Sequence, residues 1–393
     1  MAGTVSSTSV SRPPSYYIRQ RLLRNKPAMA GLAIIVLAVL VALGGYAFMP
    51  DSTPNANNGL VQVQKKAPGF STAILKLARP EAMVPDVNPI AFVLYGRPAA
   101  YSELPVESVS FRGDSLYVQP LRSNNALADQ LRVFAMAEVL AEPAQYNSPE
   151  AMAAAIRQEH LEERTFWLGT DKAGRDVLSR LILGTRISLG IGFVAVLISL
   201  VIGITVGATG GYFGGWVDKV MIFLMTVVWS VPSIMLVIAI SLALDSKGVW
   251  VAFVAVGLTM WVEVARVVRG QILSLKEKTY IEAAQVLGVS QFKIIFNHLL
   301  PNIIGPLIVI ATANFASAIL VEAGLSFLGL GVQPPAPSWG MMVNEGFQLI
   351  GARAGLYLVL LPSICISLLV LAFNLLGNGL RDAYDPKIPL ANV

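Results

Sequence analysis

Six stretches of this 393-residue chain are apolar for long enough to cross a bilayer. A helix rises about 1.5 Å per residue, so a hydrocarbon core of roughly 30 Å takes about 20 residues. The stretches 28–49, 187–209, 220–244, 303–321 and 354–380 contain no charged residue. The stretch 249–262 is shorter, but it continues through Glu263 to Ala265 before Arg266 interrupts it. Pro232 inside the third span predicts a kink, because proline lacks the N–H a helix interior needs. The first span exceeds the roughly 7–15 apolar residues of a secretory leader. The pattern predicts an all-α membrane protein of six transmembrane helices. Residues 1–26 form a Ser-rich, then basic, leading segment, disordered up to Tyr16, and 27–49 form the first helix.

Between the first two spans the pattern changes. Residues 50–164 form an insert that opens on a Pro-, Asn- and Gly-containing linker, 50–59. Segments 91–95 and 106–118 alternate apolar and polar positions as short strands do, with Arg112-Gly113-Asp114-Ser115 as the turn. Segments 126–141 and 149–163 read as helices, the second with Ser148 as N-cap and Pro149 at its first position. The insert is therefore expected to be a small α+β module, with no catalytic constellation in it. Val177, Leu178, Leu181 and Ile182 then share one helical face away from Arg175, Arg180 and Arg186, which predicts an amphipathic helix at the membrane surface.

Residues 266–302 form the longest loop between the later spans. Thr279 and Glu282 have the spacing of a capping box, and Gly288 suits a helix end where φ is positive. Ile281, Ala283, Ala284 and Leu287 make an apolar stripe with small residues. Ser290 caps a second helix with Phe292, Ile295, Phe296 and Leu299 on one face, and Pro301 stops it. A helical hairpin follows. It either docks on a partner through its stripe or folds back on its own membrane domain, with Glu282 serving only as a cap.

Charge sets the orientation. Arg12, Arg19, Arg21, Arg24 and Lys26 precede the first span, Arg266, Arg269, Lys276, Lys278 and Lys293 follow the fourth, and Arg381 and Lys387 follow the sixth. Short loops on the other side carry only Lys247 and Arg353. The positive-inside rule puts both termini and 266–302 in the cytoplasm and the insert outside. The net charge of +5 is thereby explained without nucleic acid. Only 13% of residues are charged, about half the roughly 25% of a soluble domain, which excludes an ordinary cytosolic enzyme. The single cysteine, Cys365, and the two histidines, His160 and His298, exclude a disulfide framework and a histidine-based zinc site. Gly169 to Gly174 is followed by Arg175 and Asp176, not by the Lys and Ser/Thr of a phosphate-binding loop, and no such loop occurs elsewhere. Any ATP hydrolysis must come from a partner.

Glu282-Ala283-Ala284, three residues, Gly288, and later Leu300-Pro301 resemble the EAA motif of importer-type ABC transporter permeases, although His298 stands where that motif has isoleucine. Gly169-Thr170-Asp171 with 174–180, Gly211-Tyr212-Phe213-Gly214-Gly215, 325–331 with Pro334-Pro335 and Ser338-Trp339-Gly340, and 374–377 with 379–382 are similar to the dipeptide/oligopeptide permease subfamily, C-type subunit. Arg24-Asn25-Lys26 fits as well. The resemblance spans about 17–49 and 165–386, and the insert has none. It implies the importer-type permease fold, with 165–386 as a core of five further helices and 387–393 as a cytoplasmic tail. It implies a bacterial inner-membrane subunit that forms half of a translocation path for di- or oligopeptides, nickel or another small solute. Its implied partners are a B-type sister permease, two ABC ATPases that bind the ATP and Mg, and an external binding protein. Glu282, Ala283, Ala284, Gly288, Leu300 and Pro301 then carry coupling to the ATPases. The rivals are an ion-gradient transporter, which would need a polar cluster at mid-membrane, and a membrane scaffold displaying the insert. Neither needs the hairpin.

Among other residues, Glu322 and Asn314 in the fifth span are candidates for the translocation path or gate, because ionisable and polar groups inside a bilayer are costly. The alternative for Glu322 is an interfacial residue that reaches headgroups or the partner subunit. Glu263 and Arg266 have the spacing of a local ion pair. Residues 323–344, broken by Gly and Pro, read as an outer loop or partial re-entrant segment. Trp229, Trp250 and Trp261 read as interfacial aromatics.

Overall fold

The computed structural model describes residues 14–78, 87–123, 129–140, 145–244, 248–351 and 353–385. Arg12, Lys247, Lys387 and the segments 124–128 and 141–144 lie outside them. The chain enters as helix α1 (Pro14–Arg24), already ordered before Tyr16, and turns at Asn25 into the first span, α2 (Lys26–Phe48). Asn25 caps α2 by accepting the Ala28 N–H at 3.1 Å. The insert contributes α3 (Pro89–Tyr95), α4 (Met136–Val139), α5 (Pro149–Ala155) and five strands. These are β1 (Phe70–Ala78), β2 (Tyr101–Arg112), β3 (Ser115–Pro120), β4 (Arg132–Ala135) and β5 (Leu161–Phe166). They form one antiparallel sheet of order β4-β3-β2-β1-β5.

Two expectations hold in the insert and three change. The β2–β3 hairpin turns through Gly113 (φ 56°) with Arg112 paired to Ser115. Ser148 caps α5 by accepting the Ala151 N–H. Segment 91–95 is helical, not extended, because Asn88 caps it and Pro89 sits at its start. Residues 132–135 are a strand, because β3 offers them an open edge. The helix from 149 ends in one π turn at His160, and 161–166 pair with β1 instead. Arg164 holds that edge to β2 with two hydrogen bonds to Glu103, at 2.7 and 2.8 Å. Leu75, Leu104, Val106, Leu116 and Val118 pack under Met136, Val139 and Ile156, which gives the sheet its covered face.

The membrane part continues with α6 (Val177–Phe213), α7 (Gly215–Trp229), α8 (Ser233–Ala243) and α9 (Val249–Lys276). After the hairpin helices α10 (Thr279–Val286) and α11 (Gln291–Lys293) come α12 (Ile304–Phe327), α13 (Trp339–Phe347) and α14 (Arg353–Tyr384). Among the described residues, five helical paths are long and apolar enough to cross a membrane. The sixth expected span is the pair α7 and α8, bent by 89° at Pro232, so the site of the expected kink is a break. The amphipathic surface helix at 177 does not exist as a separate element. It is the start of α6, with Arg180 fully buried. α13 packs against α6, α12 and α14, and the Trp339 Nε1–H donates to Leu181 O at 3.0 Å. Segment 323–344 thus ends the α12 helix and doubles back into protein, where irregular backbone is tolerated.

Among the described residues, α6 on α9 is the most extensive helix pair, and small residues bring the two close. A Cβ on Gly207 would sit 2.4 Å from Ala265 O, one on Gly211 3.0 Å from Arg269 O, and one on Gly203 2.5 Å from Val264 Cβ. With lipid as apolar as the protein, such close backbone approach is what holds transmembrane helices together. Gly207→Leu is expected to pry the pair apart, at an overpacking cost of about 1–3 kcal/mol. A drop in the thermal unfolding midpoint of the purified subunit checks it, and an unchanged midpoint would show that the seam is not under tension.

Candidate functional site

The hairpin hangs from the end of α9 opposite the insert. Lys278, extended and bonded through its N–H to Leu275 O at 3.0 Å, is the residue before α10, so the helix starts at Thr279. The expected capping box is therefore absent: no side chain caps α10, and Thr279 is its first helical residue. The end of α10 is as expected. Gly288 has φ 72°, its N–H bonds to Gln285 O at 3.0 Å, and the Val289 N–H bonds to Ala284 O at 3.1 Å. That is a Schellman ending, in which glycine supplies the left-handed residue.

The stripe divides between two surfaces. Ile281 and Ala284 are buried with Tyr212, Val268 and Ile272 of α6 and α9, and so are Ile295 and Leu299 from the far arm. Glu282 and Ala283 face outward, with Val286 87% and Leu287 81% exposed. Phe292 and Phe296 are also exposed. The hairpin is thus both folded back and available: one face is fixed to its own membrane domain and the other presents apolar side chains to solvent. Lys276, the last residue of α9, ties that end to α6 by donating from Nζ to Tyr212 O at 2.6 Å. The second arm does not stop at Pro301. After α11 it widens into one π turn, Ile294–Leu299, then tightens through Leu300–Ile303 and enters α12. Proline removes an N–H from the ladder, and the Asn302 side-chain amide satisfies His298 O at 2.6 Å. Leu300 is half-buried and Pro301 exposed. The hairpin therefore joins α9 directly at one end and α12 through a continuous helical path, 291–327, at the other.

Glu322 and Asn314 lie on α12, two turns apart, and both are buried within this chain. Glu322 accepts the Ser326 hydroxyl at 2.7 Å, and Ser326 in turn accepts the Val332 N–H at 3.1 Å. Glu322 therefore ties the loop after α12 back to the helix. Neither residue lines the cavity of about 1040 Å³ at the hairpin end, which Gln271, Asn302, Gly305, Val309, Ala313 and Arg381 border. The expected Glu263–Arg266 pair is not among the ion pairs of the described residues. The Arg266 guanidinium instead lies 3.8 Å from the centroid of the Trp229 ring.

One site has no counterpart in the sequence reading. Asp171, Arg175, Arg180 and Glu345 are all buried together at the insert end. Arg175 donates from Nε to Asp171 at 2.6 Å and from its terminal nitrogen to both Glu345 oxygens at 3.0 Å. Arg180 Nε lies 3.4 Å from Asp171. The i,i+4 spacing of Asp171 and Arg175 was visible, but Glu345 is 170 residues from Arg175.

Two family profiles match. Residues 199–389 fit the binding-protein-dependent transport system inner membrane component, and residues 14–68 fit the N-terminal TM domain of oligopeptide transport permease C. The glutathione transport system permease protein GsiD of Salmonella typhimurium is 47% identical over 226 residues, covering 56% of this chain and 72% of that protein. The chain belongs to this family of permeases. It is a membrane-spanning subunit of a binding-protein-dependent importer. The dipeptide transport system permease protein DppC of Alkalihalophilus pseudofirmus is 42% identical over 222 residues, 56% of this chain and 72% of that one. A solved structure of the inward-facing MetNI methionine ABC transporter covers 51% of this permease and 96% of its own chain, at 22% identity and a TM-score of 0.41. Residues 69–198, which hold the insert sheet, lie outside both profiles.

Proposed function

We propose that this permease forms half of a translocation path for dipeptides, glutathione or similar short peptides, and that its hairpin couples the path to ATPase subunits. The outward face made by Glu282, Ala283, Val286 and Leu287 carries this reading. Such an exposed apolar patch on a hairpin locked from behind calls for a protein partner. Two ATPases supply ATP and Mg chemistry, a sister permease supplies the other half of the path, and an external binding protein delivers cargo. The cargo class rests on the names of the relatives. The lysine and arginine distribution supports cytoplasmic termini and hairpin, with the insert outside. Glu322, buried within the chain, serves the path by tying the loop after α12 back to the helix through Ser326, with Asn314 buried on the same helix.

The test is cross-linking in the assembled complex. A cysteine at Ala283, in a Cys365→Ser background, is expected to join an ATPase subunit within bond-forming reach. A cysteine at Ile281, which faces α9, is not. Equal yields from both positions would remove the docking assignment. The chain alone is expected to hydrolyse no ATP, and turnover by the purified subunit that survives removal of trace ATPases would contradict that.

A further inference from the structure

Helix α3 does not belong to the soluble surface of the insert. Its sequence, PIAFVLY, has no charged or strongly polar residue, yet none of its seven residues is buried. Ile90 and Tyr95 are 74% and 70% exposed, and Leu94 is half exposed. A helix like this in water would lose its apolar contacts on every outward side. Its level in the fold is fixed by Arg186. That residue precedes an uncharged run reaching to Asp218, so it marks the edge of the apolar layer. The Arg186 guanidinium donates to Ala42 O and Leu43 O of α2 at 2.9 and 3.3 Å, and to Val93 O and Leu94 O of α3 at 2.7 and 2.9 Å. The Val93 and Leu94 carbonyls near the end of α3 are thereby satisfied. Asn88 satisfies the other end by accepting the Ala91 N–H at 2.7 Å. Phe92 rests on Tyr46 with ring centroids 6.5 Å apart. Through the shared Arg186, α3 thus adjoins Leu43, which is 63% exposed on the outer side of the first span.

We infer that α3 is an in-plane membrane segment, its exposed residues Ile90, Leu94 and Tyr95 seated in the bilayer leaflet on the insert side. Satisfied backbone ends are what a helix in lipid requires, and apolar side chains with an aromatic at the rim suit that position. Continuity with the lipid-facing row of α2 selects lipid over a protein partner as the occupant. Arg97, exposed beside Phe92, stands at headgroup depth. The insert is thereby held to the membrane as well as to α6, which fixes the tilt of its sheet.

The experiment places a nitroxide on a cysteine at Tyr95, and separately at Leu94, in the Cys365→Ser chain, with the complete transporter in lipid nanodiscs. Collision rates with oxygen and with a neutral nickel chelate are then compared with two references. Leu40 in α2 is the lipid reference and Asp114 in the insert turn is the water reference. The ratio of oxygen to nickel collisions at 94 and 95 is expected to exceed that at 114 several-fold and approach that at 40. A ratio like that at 114 would mean water and overturn the inference. Low rates for both reagents would mean cover by a protein subunit and overturn it equally.

Discussion

Glu345→Ala should destabilise the insert end of the permease by about 3–5 kcal/mol, the cost of leaving a buried charge without its partner. Glu345 is 5% exposed and takes two hydrogen bonds from one terminal nitrogen of Arg175, both at 3.0 Å. Without it, two buried guanidiniums face the single carboxylate of Asp171. The loss would spread, because Glu345 sits on α13, whose Trp339 is bonded to α6. Glu345→Gln keeps the shape and removes the charge, so it should lose nearly as much. The double variant Arg175→Met with Glu345→Leu leaves Arg180 against Asp171, charge-balanced, and should recover much of the stability. Thermal unfolding of the complex in nanodiscs reads all three. A loss below about 1 kcal/mol for Glu345→Ala, the scale of a surface pair, would mean that solvent reaches the cluster.

The second large effect lies at the hairpin. Leu287→Asp should leave folding intact, because Leu287 is already 81% exposed, yet cut ATP-driven uptake tenfold or more. Seating even a neutral polar group in an apolar contact costs about 1–3 kcal/mol, and an ionised carboxylate costs more. Gly288→Val tests the geometry instead of the surface. Nothing lies within 4 Å of a Cβ there, so the cost is that of a left-handed residue at φ 72°, about 1–2 kcal/mol. The turn relaxes, and Phe292 moves off its line while Ile281 still holds α10. Glu282→Arg reverses a favourable interaction with the start of α10, roughly 0.3–1 kcal/mol, and presents a cation to the partner. Reconstituted transporter should show all three variants inserted and folded, with substrate-stimulated hydrolysis and uptake no longer linked. Normal uptake in Leu287→Asp together with Glu282→Arg would sink the coupling role.

The six apolar stretches, the helical hairpin with Gly288 at its turn and the family motifs were all legible along the chain. Each depends on nearest neighbours: a length of apolar residues, a glycine at positive φ, a short spacing. The same local rules placed Ser148 as a cap and Gly113 in a hairpin turn. They failed where a distant element competed. Segment 132–135 became a strand because β3 left an edge open, and 161–166 because β1 did. Pro232 marked a weak point, but the 89° bend there depends on how α7 and α8 pack. Periodicity grouped Ile281, Ala284 and Leu287 as one stripe. Only the packing of α6 and α9 decided that the first two are core and the third is surface. Arg175 and Arg180 looked like the wet side of a surface helix, because a long-range carboxylate is invisible in a local window. Whether a charge is solvated or buried depends on what folds over it, and here that is Glu345, carried in by α13 from the far end of the sequence.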